Sequence, residues 1–226
     1  MNNAVLVADI GGTKSWVSLF VPADDGSWRQ ETTRKYLNEE YGDPFPLLQD
    51  FLSRLEPGDY RVAAAGLAVA GPVHGEIAEL TNLPWTVDAP RLRRQLDLDQ
   101  VLLINDFQAA AHGISLLGED DLFCLNDAPV DEDGLALITG AGTGLGLALI
   151  GKCQHLPVRA VHPTEAGHAD YAPATEQQLR LSNYLHETIR MERVSWENLL
   201  SGQGLVPVSY THLRAHETVV RISYAV

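Results

Sequence analysis

The chain has 226 residues with 16 Lys or Arg against 30 Asp or Glu, a formal net charge of −14. That balance disfavours nucleic acid and anionic membrane surfaces as partners, since phosphate-rich surfaces call for a basic face. The length implies one large or two moderate domains with a substantial core, and the two cysteines, Cys124 and Cys153, give no disulfide framework. With no basic and apolar leader and no apolar run long enough for a bilayer, the composition reads as a soluble cytoplasmic protein.

Taken in chain order, residues 4–9, 15–21 and 28–36 read as three antiparallel strands, with residues 22–26 as one turn. Residues 45–55 have helical spacing that stops at Pro57-Gly58, and residues 61–69 form a strong strand broken by Gly71-Pro72. A weaker strand at 76–80, a short helix at 89–96 and an apolar strand at 101–104 follow. The last of these resembles a buried parallel strand and leads through Asn105-Asp106 into a helix at 107–117. Further on, residues 135–140 and 145–150 form a hairpin, and residues 175–190 a helix. Strands followed by alternating helix and strand predict an α/β fold with a mixed sheet in two lobes, and no short-period repeat interrupts it.

The chemistry concentrates at the turns. Ala8-Asp9-Ile10-Gly11-Gly12-Thr13-Lys14 and Gly140-Ala141-Gly142-Thr143-Gly144-Leu145-Gly146 each join two apolar stretches. Each reads as a hairpin turn whose backbone N–H groups face an anion, and two such turns can grip one polyphosphate. Asp9 ends the first strand, where a carboxylate can hold a hydrated Mg²⁺ beside those phosphates. An ordinary Gly-rich turn is the bland alternative for either run alone. Gly146 to Lys152 fits G-x-x-x-x-G-K, yet Cys153 replaces the required Ser or Thr and the intervening residues are apolar and strand-like, so the match reads as coincidence.

Open α/β sheets place ligands at the carboxyl ends of their strands, which puts Asn105 and Asp106 on the same side as the phosphate turns. Asp106 is the candidate base; the competing reading is that it caps the helix behind it. Its ordinary pKa of about 3.9 suits a loose phosphoryl-transfer transition state, in which the acceptor proton leaves late.

Six motifs occur in the order found in bacterial glucokinases: Ala8-Asp9-Ile10-Gly11-Gly12-Thr13, Thr81-Asn82-Leu83-Pro84-Trp85, Ile104-Asn105-Asp106-Phe107, Gly140 to Gly146, Glu165-Ala166-Gly167-His168 and Leu200-Ser201-Gly202. The chain resembles that family over about residues 4–205. The resemblance implies a two-lobed actin-like ATPase (ribonuclease H-like) fold with its second lobe incomplete. Residues 1–110 would form the small lobe, 111–205 part of the large lobe, and 206–226 a non-native tail. It implies ATP-dependent phosphorylation of the 6-hydroxyl of glucose, feeding glycolysis, with Mg²⁺ and Asp106 as base.

The resemblance also carries site residues. Asn105, Asp106, Glu165, His168 and Glu197 would hold sugar hydroxyls. Ala8, Asp9, Ile10, Gly11, Gly12 and Thr13, with Gly140, Gly142, Thr143 and Gly144, would hold the nucleotide. Glucose would bind first and the lobes close over it, excluding water. Ala166 departs from the family, which more often has glycine there, at little cost unless positive φ is needed. Lys14 stands where the family often has Asn. Glu165 and His168, with His155, His162, Cys124 and Cys153, lack the tight spacing of a zinc site, and the cysteine-rich motif of related kinases and repressors is absent. A homodimer is left open for the parent protein.

After Leu205 the resemblance stops, and Val208 to Thr218 looks like the translation of a sequencing adapter. The tail holds two Arg, one Glu and two His, unlike the acidic remainder. A genuine terminal strand or helix is the alternative. A foreign tail implies a missing part of the large lobe, uncovered apolar faces, and little or no glucose phosphorylation by the chain as written. Two other functions stay open: another hexose kinase of the same superfold, and a non-catalytic sugar-binding or regulatory protein. Against the regulator, the first strand begins at about residue 4 with no basic helix-turn-helix ahead of it.

Overall fold

A strand buried on one face alternates its apolar residues, and the first strand does so without a break. In β1 (Asn2–Ile10), Ala4, Leu6, Ala8 and Ile10 are buried while Val7 and Asp9 face outward. The computed structural model describes residues 2–209 apart from 57, 59, 82, 130, 132–133, 153–158, 188 and 207. Two compact units divide between Leu125 and Asn126.

In the first unit, β1 is followed by β2 (Lys14–Pro22) and β3 (Trp28–Leu37), then α1 (Pro44–Ser53) and β4 (Tyr60–Val69). The short strands β5 (Val73–His74), β6 (Ile77–Glu79) and β7 (Thr86–Asp88) precede α2 (Ala89–Gln95), β8 (Gln100–Asn105) and α3 (Asp106–Gly113). The main sheet has the order β3-β2-β1-β4-β8. β2 pairs antiparallel with both β1 and β3, whereas β1–β4 and β4–β8 are parallel. The mixed sheet and the parallel setting of β8 are as the sequence predicts.

Helix α1 begins where Asp43 accepts a hydrogen bond from the Phe45 N–H at 2.8 Å, with Pro44 at its first position, where the missing N–H costs nothing. Its Leu47, Leu48 and Phe51 are fully buried in the core shared with β1, β2 and β4. Asp88 caps α2 in the same way through the Arg91 N–H at 2.8 Å. Trp85, the last residue of the Thr81–Trp85 motif, is buried in this core; Asn82 of that motif lies outside the described residues.

Two expectations need adjustment here. The helix predicted at 107–117 is α-helical only through Gly113 and continues as a single 3₁₀ turn, Ile114–Leu116. Glycine is a poor helix interior, and Gly113 and Gly118 bracket the break. The first unit also runs past the predicted boundary at 110, because α3 packs on β4 and β8 and so stays with the sheet that precedes it.

The second unit carries β9 (Ala136–Ala141), β10 (Leu145–Lys152) and β11 (Arg159–Thr164) in an antiparallel sheet of order β11-β10-β9. The G-x-x-x-x-G-K run lies within β10, so it is strand rather than phosphate loop. β11 was not foreseen: it contains Pro163, which an edge strand tolerates because one row of its backbone groups needs no partner. Helices α4 (Glu176–Glu187) and α5 (Glu197–Leu200) follow, α4 being shorter than the predicted 175–190. A small core joins Tyr171, Leu185, Val194 and Leu199, and Val208, in the segment set apart from residue 206, packs against it.

Candidate functional site

The register of the three parallel strands lines up their carboxyl ends. Asp9 of β1 stands opposite Ala68 of β4, and Ala68 stands opposite Ile104 of β8. Asp9, the turn after it, and the Asn105-Asp106 step therefore share one edge of the first unit's sheet. The electrostatics agree. Desolvation by the surrounding protein, and next the charge of Asp106, hold the Asp9 carboxyl above the ordinary carboxylate range. Burial likewise raises Asp106, against the opposing pull of the hydrogen bond from the Phe107 N–H.

Asn105, not Asp106, is the cap of α3. Its Oδ1 accepts from the N–H groups of Phe107 at 3.0 Å and Gln108 at 3.2 Å, and its Nδ2 donates to the Gly71 carbonyl at 3.3 Å. Asp106 is the first helical residue; its Oδ1 accepts from the Phe107 N–H at 2.8 Å, so its carboxylate keeps a second oxygen for an acceptor hydroxyl. The cap reading of Asp106 is thus corrected: the preceding amide takes that duty because its backbone is extended, as a cap requires.

In the first turn the Gly11 N–H donates to the Lys14 carbonyl at 3.1 Å. The carbonyls of Gly11 and Thr13 accept from Asn38, the first from Nδ2 at 2.8 Å and the second from the backbone N–H at 3.0 Å. Among the described residues nothing accepts from the N–H groups of Gly12 and Thr13, which leaves them for an anion. The side chains of Ala8 and Ile10 are buried in the core, so these two residues can offer a ligand only their backbone.

The second unit repeats this logic. Gly140 lies in β9, paired with Gly146, and the turn itself is Gly142-Thr143-Gly144. The Gly142 N–H donates to the Gly144 carbonyl at 2.8 Å, and the Gly142 carbonyl accepts from the Gly202 N–H at 2.8 Å. Nothing among the described residues accepts from the N–H groups of Thr143 and Gly144. Glu197 accepts from the Leu145 N–H at 2.9 Å, and a Cβ on Gly144 would sit 2.6 Å from its Oε2.

The Glu165-Ala166-Gly167-His168 motif packs on the same turn. A Cβ on Gly167 would lie 2.1 Å from the Leu145 carbonyl oxygen, a backbone approach only glycine permits. His168 then stands between two carboxylates, with Nε2 at 3.8 Å from Glu165 and Nδ1 at 3.7 Å from Glu197. These gaps exceed a direct hydrogen bond, so the three side chains are neighbours whose polar atoms are not committed to one another. So the structure brings Glu165, His168 and Glu197 together in one unit, and Asp9, Asn105 and Asp106 together in the other.

Sequence reasoning missed Asn38 and the attachment of Glu197 to the second turn. The only sequence signal for the latter is the position of Glu197 just before Leu200-Ser201-Gly202, the motif whose glycine also holds that turn. Of the residues weighed for zinc, Cys153 and His155 lie outside the described residues. Among the described residues no group of three His, Cys, Asp or Glu side chains could hold a metal, and no helix is long and apolar enough to cross a membrane.

A family model described as Glucokinase matches residues 6–224. The chain belongs to the glucokinase family. It is 36% identical to a curated glucokinase of Trichormus variabilis over 216 residues, which are 96% of this chain and 62% of that relative. The chain thus spans about three fifths of the length of the curated relatives it matches. Among solved structures, a glucokinase from an Antarctic psychrotroph superposes with a TM-score of 0.74 at 26% identity, covering 97% of this chain and 67% of the other. A ROK family glucokinase from Streptomyces griseus, solved with glucose and AMPPNP, superposes with a TM-score of 0.56 at 21% identity, covering 95% of this chain and 62% of the other, and shares the fold. The α/β fold is that of the actin-like ATPases. The match to residue 224 takes in most of the segment from residue 206 that the motifs did not reach.

Proposed function

We propose that the chain belongs to a cytoplasmic hexose kinase that transfers the γ-phosphoryl group of ATP to the 6-hydroxyl of glucose. The observation that carries this reading is the shared edge of β1 and β8, where a turn with free N–H groups, Asp9 and Asp106 stand together. Hexose kinases need these parts: donors for phosphate oxygens, a group for the cation, and a carboxylate for the acceptor proton.

In this reading the Gly12 and Thr13 amides, and in the other unit those of Thr143 and Gly144, bind phosphate oxygens. Glu165, His168 and Glu197 hold sugar hydroxyls, for which two acceptors flanking an imidazole are suited. Asn105 bonds the Gly71 carbonyl and also hydrogen-bonds the Asp106 carboxylate, which steadies that group beside the acceptor hydroxyl. Asp106 accepts the 6-hydroxyl proton on its second oxygen as the new P–O bond forms and the bond from the γ-phosphorus to the β,γ-bridging oxygen breaks, releasing ADP. Its raised affinity for protons makes it a better base than an ordinary aspartate.

The residues also fit Mg²⁺. Asp9 and Asp106 are two neighbouring carboxylates with charges that oppose one another, and Mg²⁺ commonly takes one or two carboxylates together with phosphates and water. Bound there through Asp9, the cation would neutralise charge on the phosphates.

The test is Asp106→Asn in the protein extended to the full length of its curated relatives, assayed for glucose 6-phosphate formation against the unsubstituted full-length protein, with glucose binding measured by calorimetry. Turnover is expected to fall about 10²–10⁴-fold, the usual worth of a general base, with the glucose Kd little changed. Turnover within a few fold of the unsubstituted protein would show the base to be another group. Phosphorylation of a different hexose in preference to glucose would overturn the substrate assignment.

A further inference from the structure

Asn38 stands apart from every motif of the sequence, yet it is the polar side chain most deeply built into the first turn. It lies just past β3 at the start of a 3₁₀ turn, 1% exposed, and touches the turn at three points. Its Nδ2 donates to the Gly11 carbonyl at 2.8 Å, its backbone N–H donates to the Thr13 carbonyl at 3.0 Å, and its Oδ1 accepts from the Ser15 hydroxyl at 2.7 Å. Ser15 is fully buried. A carbonyl can only accept, so the bond to Gly11 fixes which end of the amide is nitrogen, and the Ser15 hydroxyl holds the other end.

The consequence is geometric. A peptide plane whose carbonyl is held inward turns its N–H outward. The Gly11 carbonyl shares its peptide plane with the Gly12 N–H, so the bond from Asn38 Nδ2 fixes the direction of that N–H, which, like the neighbouring Thr13 N–H, has no protein acceptor among the described residues. An anion site made of backbone amides works only if they are fixed before the ligand arrives, since ordering them on binding costs affinity. Buried polar side chains need their partners, so the same network that satisfies Asn38 and Ser15 also locks the turn.

We infer that Asn38 is a positioning residue for the phosphate groups of the nucleotide: it holds the first turn in its anion-binding form without touching the ligand. The inference rests on the phosphate role of that turn given above, and adds the residue that shapes it.

The experiment titrates the chain with inorganic tripolyphosphate in the presence of Mg²⁺, a probe that presents phosphates without an adenine, followed by ³¹P NMR. Glucose is titrated in parallel by calorimetry. Asn38→Asp keeps the size, the backbone bond to Thr13 and the acceptor for Ser15, but replaces the donor to Gly11 with a carboxylate that itself repels phosphate, so the uncharged variant decides the test. Asn38→Ala removes both side-chain bonds. Both variants are expected to weaken tripolyphosphate binding about tenfold or more, while the glucose Kd stays within about twofold, as the loss of one buried hydrogen bond implies. Equal loss of both ligands, or lower stability with tripolyphosphate binding unchanged, would reduce Asn38 to a structural residue and overturn the inference. If Asn38→Ala fails to fold, Asn38→Ser, uncharged and still polar, carries the test. Tripolyphosphate ignored by the unsubstituted chain, with glucose still bound, would overturn the phosphate role of the turn itself and the inference with it. The two failures are thereby distinct.

Discussion

Gly167 and Gly142 carry the same side chain for different reasons. Gly167 meets the Leu145 carbonyl so closely that a methyl group cannot enter without moving backbone, whereas a Cβ on Gly142 would have nothing within 4 Å. Gly167→Ala is therefore expected to destabilise the second unit by about 1–3 kcal/mol, as overpacking does, and to weaken glucose binding, because His168 is the next residue. Gly142→Ala is expected to change stability by less than about 0.5 kcal/mol. Urea unfolding of both variants, with a glucose titration of each, checks the pair. Only the resemblance proposes the motif Glu165-Ala166-Gly167-His168 for sugar; the close approach that makes its glycine necessary was not legible. Ala166 is free of positive φ, which explains why alanine is accepted where the family more often has glycine.

Elements with a strong period or a clear start were legible. α1 announces itself by Asp43-Pro44 and by the spacing of Leu47, Leu48 and Phe51, all fully buried. Phe51→Ala is expected to cost about 3–5 kcal/mol, the loss of a large buried ring plus the cavity it leaves, read as a lower midpoint in urea unfolding of the first unit. β1, β2, β4 and β8 likewise follow from alternation or from continuous apolar runs. β11 was not legible, because Arg159–Thr164 has no alternation and includes a proline; its strand conformation comes from pairing with β10. The α-helix after Asn105 ended earlier than its apolar pattern predicts, since periodicity does not distinguish an α-helical turn from the 3₁₀ turn of Ile114–Leu116.

At the scale of the whole molecule, the acidic balance disfavours anionic partners unless backbone amides or a cation offset it, and the sheet edge concentrates that conflict at Asp9 and Asp106. Both carboxyls hold protons more tightly folded than unfolded. Their contribution to stability is therefore fully present below the ordinary carboxylate pKa of about 3.9 and is lost as the pH rises through their raised values. Asp106→Asn should accordingly raise the urea midpoint of the first unit at pH 7, where it removes a half-buried charge and relieves Asp9. The advantage should vanish near pH 3.5. A variant less stable than the unsubstituted chain at pH 7 would mean that the Phe107 hydrogen bond outweighs the charge. Greater stability with lost turnover is the pattern expected of a group retained for chemistry rather than for folding.

The sequence by itself determined the order of the longer strands and helices apart from β11, the two Gly-rich turns, and the residue types at the candidate site, because those depend on local periodicity, turn chemistry and motif order. Only the tertiary structure decided which carbonyls of each turn are held and which amides stay free. It also decided that Asn105 rather than Asp106 caps α3, and that Asn38 and Glu197 anchor the two turns from 27 and 52 residues away. The physical reason is common to all of these: a hydrogen bond between groups distant along the chain is fixed by where folding places the backbone, and no local pattern in the sequence records it.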